Sequence, residues 1–264
     1  MGSVNTLSIL YEEERKKKII EYLQLNLRVS VRELSSNFSV SESTIRRDLQ
    51  ELEDENKLKR THGGAVYLED VNLELTFGEK EDKFRQEKVA IAKKAAELIE
   101  DGDTILIDSG TTTLYMVNEL RKFSNLTVVT NSIILAQVLQ GQENIQVVVV
   151  GGMLRKNTLA MVGPMAEQAL GMLNVNKAFI GTNGLSLENG LTTPNIIEAA
   201  TKTKMISIAK QVVVLTDWSK FGKVSFAKFA ELSQIDTCIV DDKASPESIE
   251  QIRKAGIEVE VVYL

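Results

Sequence analysis

Early in the chain, apolar residues recur at helical spacing, whereas from about residue 104 onward they gather into short runs between helix-like stretches. Ile19, Ile20, Leu23 and Leu27 follow i, i+1, i+4, i+8, one face of an amphipathic helix around residues 15–25. Ser30-Val31-Arg32-Glu33 is a capping box, so a second helix carrying Leu34 and Phe38 is expected to start there. Ser39-Val40 leaves room only for a turn. Ser41 is the next N-cap and opens a third helix to about Glu55, with Val40 and Ile45 placed as a hydrophobic staple. Two short helices joined by a tight turn make a helix-turn-helix. Asn56 can end the third helix in the left-handed conformation. A basic run Lys57-Leu58-Lys59-Arg60, the pair Gly63-Gly64 and the apolar Ala65-Val66 then predict a hairpin wing.

Turned at about 100° per residue, the third helix places Ile45, Leu49 and Leu52 on one stripe and Ser43, Arg46, Arg47 and Gln50 opposite it. Arginine can bind guanine with two hydrogen bonds, glutamine can do the same with adenine, and serine reaches bases or phosphates. On an isolated helix the two arginines would equally be a solvated face; the helix-turn-helix setting favours DNA. Thr44 and Asp48 lie on a flank, where they can order the helix, and Thr44 joins the candidate contacts. Lys59 and Arg60 of the wing would meet phosphates, while His62 is either a wing-tip contact or a turn residue.

Residues 68–78 are acidic and aperiodic, and read as a linker. Residues 83–100 then show the spacing Val89, Ile91, Ala92, Ala95, Ala96, Ile99 of a helix. Strands are expected at 104–107, 126–129, 146–150, 177–180, 212–216, 237–240 and 258–262. Strands alternating with helices predict an α/β domain with a mostly parallel sheet covered on both faces. Ligands on such sheets bind beyond the carboxyl ends of the strands. Those ends are rich in polar and small residues. Asp108-Ser109-Gly110-Thr111-Thr112-Thr113 follows the first strand, and its glycine, hydroxyls and helix-start N–H groups suit an anion such as phosphate. An ordinary Ser/Thr helix cap is the alternative. Thr130-Asn131, Gly151-Gly152, Gly181-Thr182-Asn183-Gly184 and Asp217-Trp218-Ser219-Lys220-Phe221-Gly222 end later strands. Each alone would pass for a turn; together on one sheet edge they predict a pocket. None is a dinucleotide fingerprint or a Walker loop. Glu198 and Lys202 share a helix face four residues apart, as pocket groups or as a plain surface ion pair.

Composition narrows the classes. With 43% apolar and 26% charged residues and three prolines, the chain is globular rather than disordered. No apolar run reaches the roughly 18 residues of a membrane span, and no secretory signal is recognisable, so a cytoplasmic protein is expected. One cysteine, Cys238, excludes an internal disulfide, and one histidine excludes His-rich metal sites and a Ser-His-Asp triad elsewhere in the chain. The net charge of −6 looks wrong for a DNA binder, but it is unevenly placed. Up to Tyr67 eleven Lys+Arg face eleven Asp+Glu, and the remainder, 20 against 26, carries the whole excess. Local clusters, not totals, govern binding to nucleic acid.

Ser41-Glu42-Ser43-Thr44-Ile45-Arg46-Arg47-Asp48-Leu49 with Lys59-Arg60-Thr61-His62-Gly63-Gly64-Ala65 resembles the DNA-binding signature of the DeoR family of bacterial regulators. Asn56 stands where glycine is common in that family. The resemblance continues in order through Asp108-Ser109-Gly110-Thr111-Thr112, Thr130-Asn131, Gly151-Gly152, Gly163, Gly184, Gly190-Leu191-Thr192, Glu198, Lys202 and Asp217 with Ser219-Lys220-Phe221-Gly222. It implies a sensor domain similar in fold to ribose-5-phosphate isomerase and the coenzyme A transferases. It also implies a sugar phosphate held by Thr111 and Thr112, with Asp108, Glu198, Lys202 and Lys220 near the sugar. Asn183 replaces an aspartate of some relatives, which weakens a catalytic-acid role there.

The chain is thus expected to have a winged helix-turn-helix at 1–67, a linker at 68–78 and an effector domain at 79–264. It is expected to act as a repressor of sugar-metabolism genes, to bind operator DNA and a phosphorylated sugar, to assemble as a dimer or tetramer, and to need no cofactor. Two half-sites one helical turn apart require two recognition helices. The rival reading is a phosphosugar isomerase with Glu198 as base and Lys202 or Lys220 as charge stabiliser. It leaves the helix-turn-helix without a purpose. A pure oligomerisation module would leave the polar strand ends without one.

Overall fold

The computed structural model describes residues 12–26, 28–55, 57–61, 63–67, 74–81 and 83–264. Its contacts form two compact units that divide between Asp70 and Val71. Asn56 and His62 lie outside the described residues.

The first unit runs α1 (Glu12–Asn26), β1 (Arg28–Ser30), α2 (Val31–Phe38), α3 (Glu42–Asp54), β2 (Leu58–Thr61) and β3 (Gly64–Tyr67). Ser30 caps α2 through a complete capping box, and Ser39 ends that helix in the left-handed conformation, φ 53°. Ser41 caps α3, accepting from the Thr44 N–H. The expected stripe is the packed one: Ile19, Leu23, Leu34, Ile45, Leu49 and Leu52 form one core, with the staple residue Val40 against it. The wing gains a strand that the sequence did not announce. β1 pairs with β3, giving the antiparallel order β1-β3-β2.

The second unit opens with α4 (Phe77–Glu81) and α5 (Arg85–Ala96), followed by β4 (Thr104–Ile107), α6 (Thr111–Leu114), α7 (Val117–Leu120), β5 (Leu126–Thr130), α8 (Ile133–Leu139) and β6 (Ile145–Val149). A hairpin, β7 (Met153–Arg155) and β8 (Ala160–Val162), leads to α9 (Pro164–Leu170) and β9 (Val175–Gly181). After β10 (Gly184–Ser186) and β11 (Gly190–Thr193) come α10 (Ile196–Ser207), β12 (Ala209–Leu215), β13 (Ala227–Ala230), β14 (Thr237–Asp241), α11 (Pro246–Lys254) and β15 (Glu258–Val262). Seven strands form one parallel sheet in the order β15-β14-β12-β9-β4-β5-β6. Their alternation explains the unbroken apolar runs. Ile105, Ile107, Phe179, Val213 and Ile239 pack on one face, and Leu106, Ala178, Ile180, Val214 and Val240 on the other.

Strand order reverses between β4 and β9. From β4 the chain moves outward to β5 and β6, then returns to build β9, β12, β14 and β15 on the opposite side. The carboxyl ends of these two strands therefore flank a crevice, the usual ligand position in a sheet of this type.

Three details depart from the sequence reading. Glu74 and buried Phe77, expected in the linker, are fastened to the second unit. Val89, expected on the buried face of α5, is 45% exposed, because the burying stripe runs through Ile91, Ala92, Ala95 and Ala96 instead. The β7–β8 hairpin and the antiparallel sheet β10-β11-β13 were not foreseen. Cys238 is fully buried, and burial pushes its thiol to about 12, so it is chemically inert. Among the described residues no helix is long and apolar enough to cross a membrane.

Candidate functional site

In the first unit the outward face of α3 carries the expected polar set. Arg46 and Arg47 are exposed, their side chains 59% and 62% accessible. Arg46 lies 2.9 Å from Glu42; Arg47 lies 3.6 Å from Glu12 and 3.9 Å from Glu51. Exposed pairs of this kind are worth about 0–1 kcal/mol, so both guanidinium groups can leave them for a nucleic acid. Ser43 is exposed and shares a 2.7 Å hydrogen bond with the cap Ser41, while half-buried Thr44 completes the same cap at 2.8 Å. Gln50 is not free. Its amide donates to Asp54 Oδ1 at 2.9 Å and its oxygen accepts from Arg60 Nη1, while Arg60 N donates to Glu53 Oε1 at 2.8 Å. These bonds tie the wing to the helix it flanks. Lys59 stands exposed on β2.

Beneath that face is a pair that sequence reasoning missed. Asp48 is completely buried and receives Arg15 Nε at 2.5 Å and Nη2 at 2.9 Å. The pairing with Asp48 holds the Arg15 guanidinium above its usual value, against the cost of burial. It fixes α3 to α1, so Asp48 orients the arginines beside it without facing outward itself.

In the second unit the predicted strand-end residues gather around the β4/β9 crevice. Asp108 is the hub. Its Oδ1 accepts from Gly110 N at 3.0 Å and Thr113 Oγ1 at 2.8 Å; its Oδ2 accepts from Gly181 N at 2.9 Å and from Lys202 Nζ. Asp108 thus bridges the two switch-point strands and shapes the loop after β4. Thr113, not Thr111 or Thr112, supplies the hydroxyl that locks this loop. Thr111 and Thr112 are buried at the start of α6, and their hydroxyls bond to no described residue; Ser109 is buried beside them.

Glu198 and Lys202 are both buried and do not pair with each other, which removes the surface-ion-pair alternative. Lys202 goes to Asp108 and to Gly181 O at 3.0 Å. Glu198 Oε2 is held by Arg155 Nη1 and by Thr158 Oγ1 at 3.3 Å, both on the unforeseen β7–β8 hairpin. Arg155 binds Glu74 as well, with bonds of 2.7 and 2.5 Å. Beyond β12, Asp217 accepts from Ser219 N at 3.0 Å and from its hydroxyl, with Lys220 Nζ 3.8 Å away. Burial opposes the charge on Asp217, but Lys220, Ser219 and Lys88 outweigh it and hold the carboxyl below its usual range.

Other predicted residues serve the frame. Asn131 donates to Met161 O at 3.0 Å and its backbone carbonyl accepts from Met161 N at 2.8 Å, docking the hairpin; Thr130 Oγ1 accepts from Ser132 N at 3.0 Å. Asn183 accepts from Thr193 Oγ1 at 3.2 Å. Gly152, at φ +149°, and Gly184 are required by close packing: a Cβ would lie 2.7 Å from Val162 O in the first case and 2.4 Å from Lys223 O in the second.

Two lysines escaped the sequence reading. Lys88 of α5 and Lys80 of α4 lie close enough to Lys220 to feel its charge, and Lys80 also feels Lys202 and Glu198. Burial, reinforced by the neighbouring ammonium groups, brings Lys88 down to about 8 and lowers Lys80, against the pull of Asp217 on the first and Glu198 on the second. Lys80 thus feels Lys202 and Lys220, and Lys88 feels Lys220 and Lys80, a group of four cations linked through their charges.

Comparison with known proteins gives a consistent answer across the chain. Residues 15–71 match the DeoR-like helix-turn-helix domain and residues 83–242 the DeoR C terminal sensor domain. The HTH-type transcriptional regulator GlpR of Haloferax volcanii is 42% identical over 93% of this chain and 96% of its own. The HTH-type transcriptional repressor GlcR of Bacillus subtilis is 36% identical over 95% and 96%. The putative aga operon transcriptional repressor of Escherichia coli O157:H7 is 35% identical over 94% and 93%. Among solved structures, ribose 5-phosphate isomerase A of Methanocaldococcus jannaschii covers 51% of this chain and 53% of its own at 21% identity, with a TM-score of 0.37, too slight a likeness to argue from.

Proposed function

The chain belongs to the DeoR family of transcriptional regulators, and from that premise we propose that it is a repressor of sugar-metabolism genes whose grip on its operator is set by a phosphorylated sugar. The phosphate would sit on the loop after β4, against Thr111 and Thr112. One observation carries this reading: the Thr113 hydroxyl is consumed by Asp108 and Gly110 while those of its two neighbours have no described partner, at the switch point of the sheet and on a loop whose hub, Asp108, also binds Lys202. Charge-assisted hydrogen bonds are roughly twice as strong as neutral ones, so such a site prefers the phosphorylated to the free sugar. Glu198 Oε1, whose partner oxygen is held by Arg155, would accept from a sugar hydroxyl. Asp108 acts indirectly, by positioning Lys202 and the loop. Relatives named as the putative aga operon transcriptional repressor and the HTH-type transcriptional repressor GlcR support the repressor part of the reading.

On DNA, Arg46 and Arg47 would read bases, with Ser43, Lys59 and Arg60 on phosphates and Thr44 and Gln50 ordering the surface. Two copies of α3 are needed for two half-sites, so the regulator would act as a homodimer or a higher homo-oligomer.

The double change Thr111→Val, Thr112→Val keeps shape and removes both hydroxyls. Titrating the operator complex with phosphorylated and free forms of candidate sugars tests the reading. The wild type should respond to a phosphorylated form only, and the variant should bind operator normally yet ignore that ligand. A wild-type response to a free sugar at equal concentration, or an unchanged response in the variant, would overturn the assignment.

A further inference from the structure

One of the four cations belongs to the segment that leads in from the DNA-binding unit. Lys80 lies on α4, in residues 74–81, through which the chain enters the second unit; only residues 68–73 separate this strap from the last strand of the DNA-binding unit. The strap is fastened firmly. Glu74 takes two bonds from Arg155 and one of 3.0 Å from Asn157 Nδ2. Phe77 is buried, and its N–H donates to Asn157 O at 2.7 Å. Lys88 Nζ donates to Lys80 O. α4 itself packs against α6, the turn that bears Thr111 and Thr112.

The strap also shares its anchor with the pocket. A single guanidinium, that of Arg155, holds Glu74 of the strap and Glu198 of α10. Only the Lys80 ammonium is left over: it makes no ion pair or side-chain hydrogen bond with a described residue, although the charges of Glu198, Lys220, Glu74 and Lys202 all reach it. A half-buried cation within reach of other cations is stabilised by an anion placed among them. We propose that Lys80 is a direct contact of the bound anion, so that filling the pocket clamps the strap that leads to the DNA-binding unit. The proposal rests on the effector reading above and adds the route by which occupancy leaves the pocket. A ligand shifts an equilibrium only by its differential affinity for the two states, and a contact on the strap itself supplies that difference. By reciprocity, anything that loosens the strap must weaken the anion.

The full-length protein with inorganic phosphate as the probe provides the test. Binding is followed through Trp218, the single tryptophan, which stacks edge-on against Phe84 at 5.7 Å and lies next to Asp217. Strap mobility is followed by hydrogen exchange of the amides in 74–81, with those in 109–112 as the pocket's own reporter. In the wild type phosphate should slow exchange in both segments. Lys80→Gln should weaken phosphate roughly tenfold or more, the loss of one charge-assisted bond, and abolish protection of the strap while protection of 109–112 survives at saturation. Lys80→Arg should restore both. Glu74→Gln, which leaves every pocket cation in place, should speed strap exchange without phosphate and weaken phosphate binding in proportion; it serves equally if Lys80→Gln does not fold. Protection of 109–112 alone in the wild type, or undiminished phosphate binding in Lys80→Gln or in Glu74→Gln, would overturn the clamp and leave the effector reading standing. Protection of neither segment would overturn both.

Discussion

Replacing Asp48 by asparagine keeps its shape and removes its charge, so that Arg15, 6% exposed, loses the carboxylate that holds it between α1 and α3, while the charges of Glu12 and Glu51 still reach it. Breaking a buried pair by removing one partner costs about 3–5 kcal/mol, well above the ~0–1 kcal/mol of exposed pairs such as Lys57–Glu55. For a domain of this size each kcal/mol moves the midpoint by roughly 4–8 °C, so the first unit should melt roughly 12–40 °C lower. Scanning calorimetry of the full chain is the assay: the transition of the DNA-binding unit should move and that of the sheet unit should not, since the pair touches only α1 and α3. Operator affinity should fall alike on all sequences, because the whole reading helix is released rather than one base contact. The double replacement Arg15→Met, Asp48→Leu, which removes both charges, should recover most of the lost stability, as apolar substitutes for buried pairs often do. An Asp48→Asn protein that melts with the wild type would show that burial and bidentate geometry do not confer the assigned role on this pair.

Arg46→Ala and Arg47→Ala should each weaken specific operator binding by about 1–3 kcal/mol where the arginine meets a base, or flatten the salt dependence where it meets only phosphate. Their exposed pairs with Glu42 and Glu51 mean that stability should barely change; salt-dependent gel-shift titrations decide, and unchanged affinity in both variants refutes the reading face. The phosphate affinity of the sheet unit should decline as pH rises through about 8, where buried Lys88 loses its proton. A bound dianion favours the charged amine, so binding should take up protons above that pH, measurable as a buffer-dependent enthalpy. Stability has the opposite sign: the unfolded chain binds the Lys88 proton up to its ordinary value near 10.5, so between about 8 and that pH this lysine makes folding more favourable as pH rises. A Lys88→Met protein should lose both slopes.

What the sequence made legible was whatever is decided locally. Ser30 and Ser41 announce their helices because a cap needs only its own next three residues. The seven sheet strands are visible because strands buried on both faces are apolar at every position. The polar loop Asp108-Ser109-Gly110 was visible at the end of its strand because it interrupts that apolar run. Pairings across the chain stayed hidden. Arg15 sits in Glu12–Asn26, a helix so rich in Glu and Lys that it resembles a solvated one, and nothing nearby says that its partner is 33 residues away. Glu198 and Lys202 have ideal i, i+4 spacing, yet burial sends them to Arg155 and Asp108. Met153–Arg155 and Ala160–Val162 are too short for any alternation to register, so the hairpin that supplies Arg155, Asn157 and Thr158 was absent from the sequence picture. Nothing in the sequence around Lys80 and Lys88 ties either of them to the strand ends.

These hidden pairings bear on why a crevice of this kind can regulate rather than catalyse. A proton-transfer site needs a carboxylate or amine that can change protonation against its substrate. Here the candidate acid and base groups are committed to the frame. All the acceptor geometry of Asp108 is spent on Gly110, Thr113, Gly181 and Lys202, and Lys202 is in turn fixed by Asp108 and Gly181 O. Glu198 shares a guanidinium with Glu74 of the strap, so moving a proton at Glu198 would disturb the segment leading to the DNA-binding unit. At Asn183 an amide takes the place where a carboxyl could act, and its oxygen is bonded to Thr193. Groups locked in this way cannot turn over a substrate efficiently, but they make the pocket stiff around a few uncommitted contacts: the hydroxyls of Thr111 and Thr112, Glu198 Oε1 and the ammonium of Lys80. A stiff pocket concentrates the effect of ligand on whichever element can still move, and the strap, tied to the pocket through Arg155 and facing it through Lys80, is the element whose position such a ligand would set.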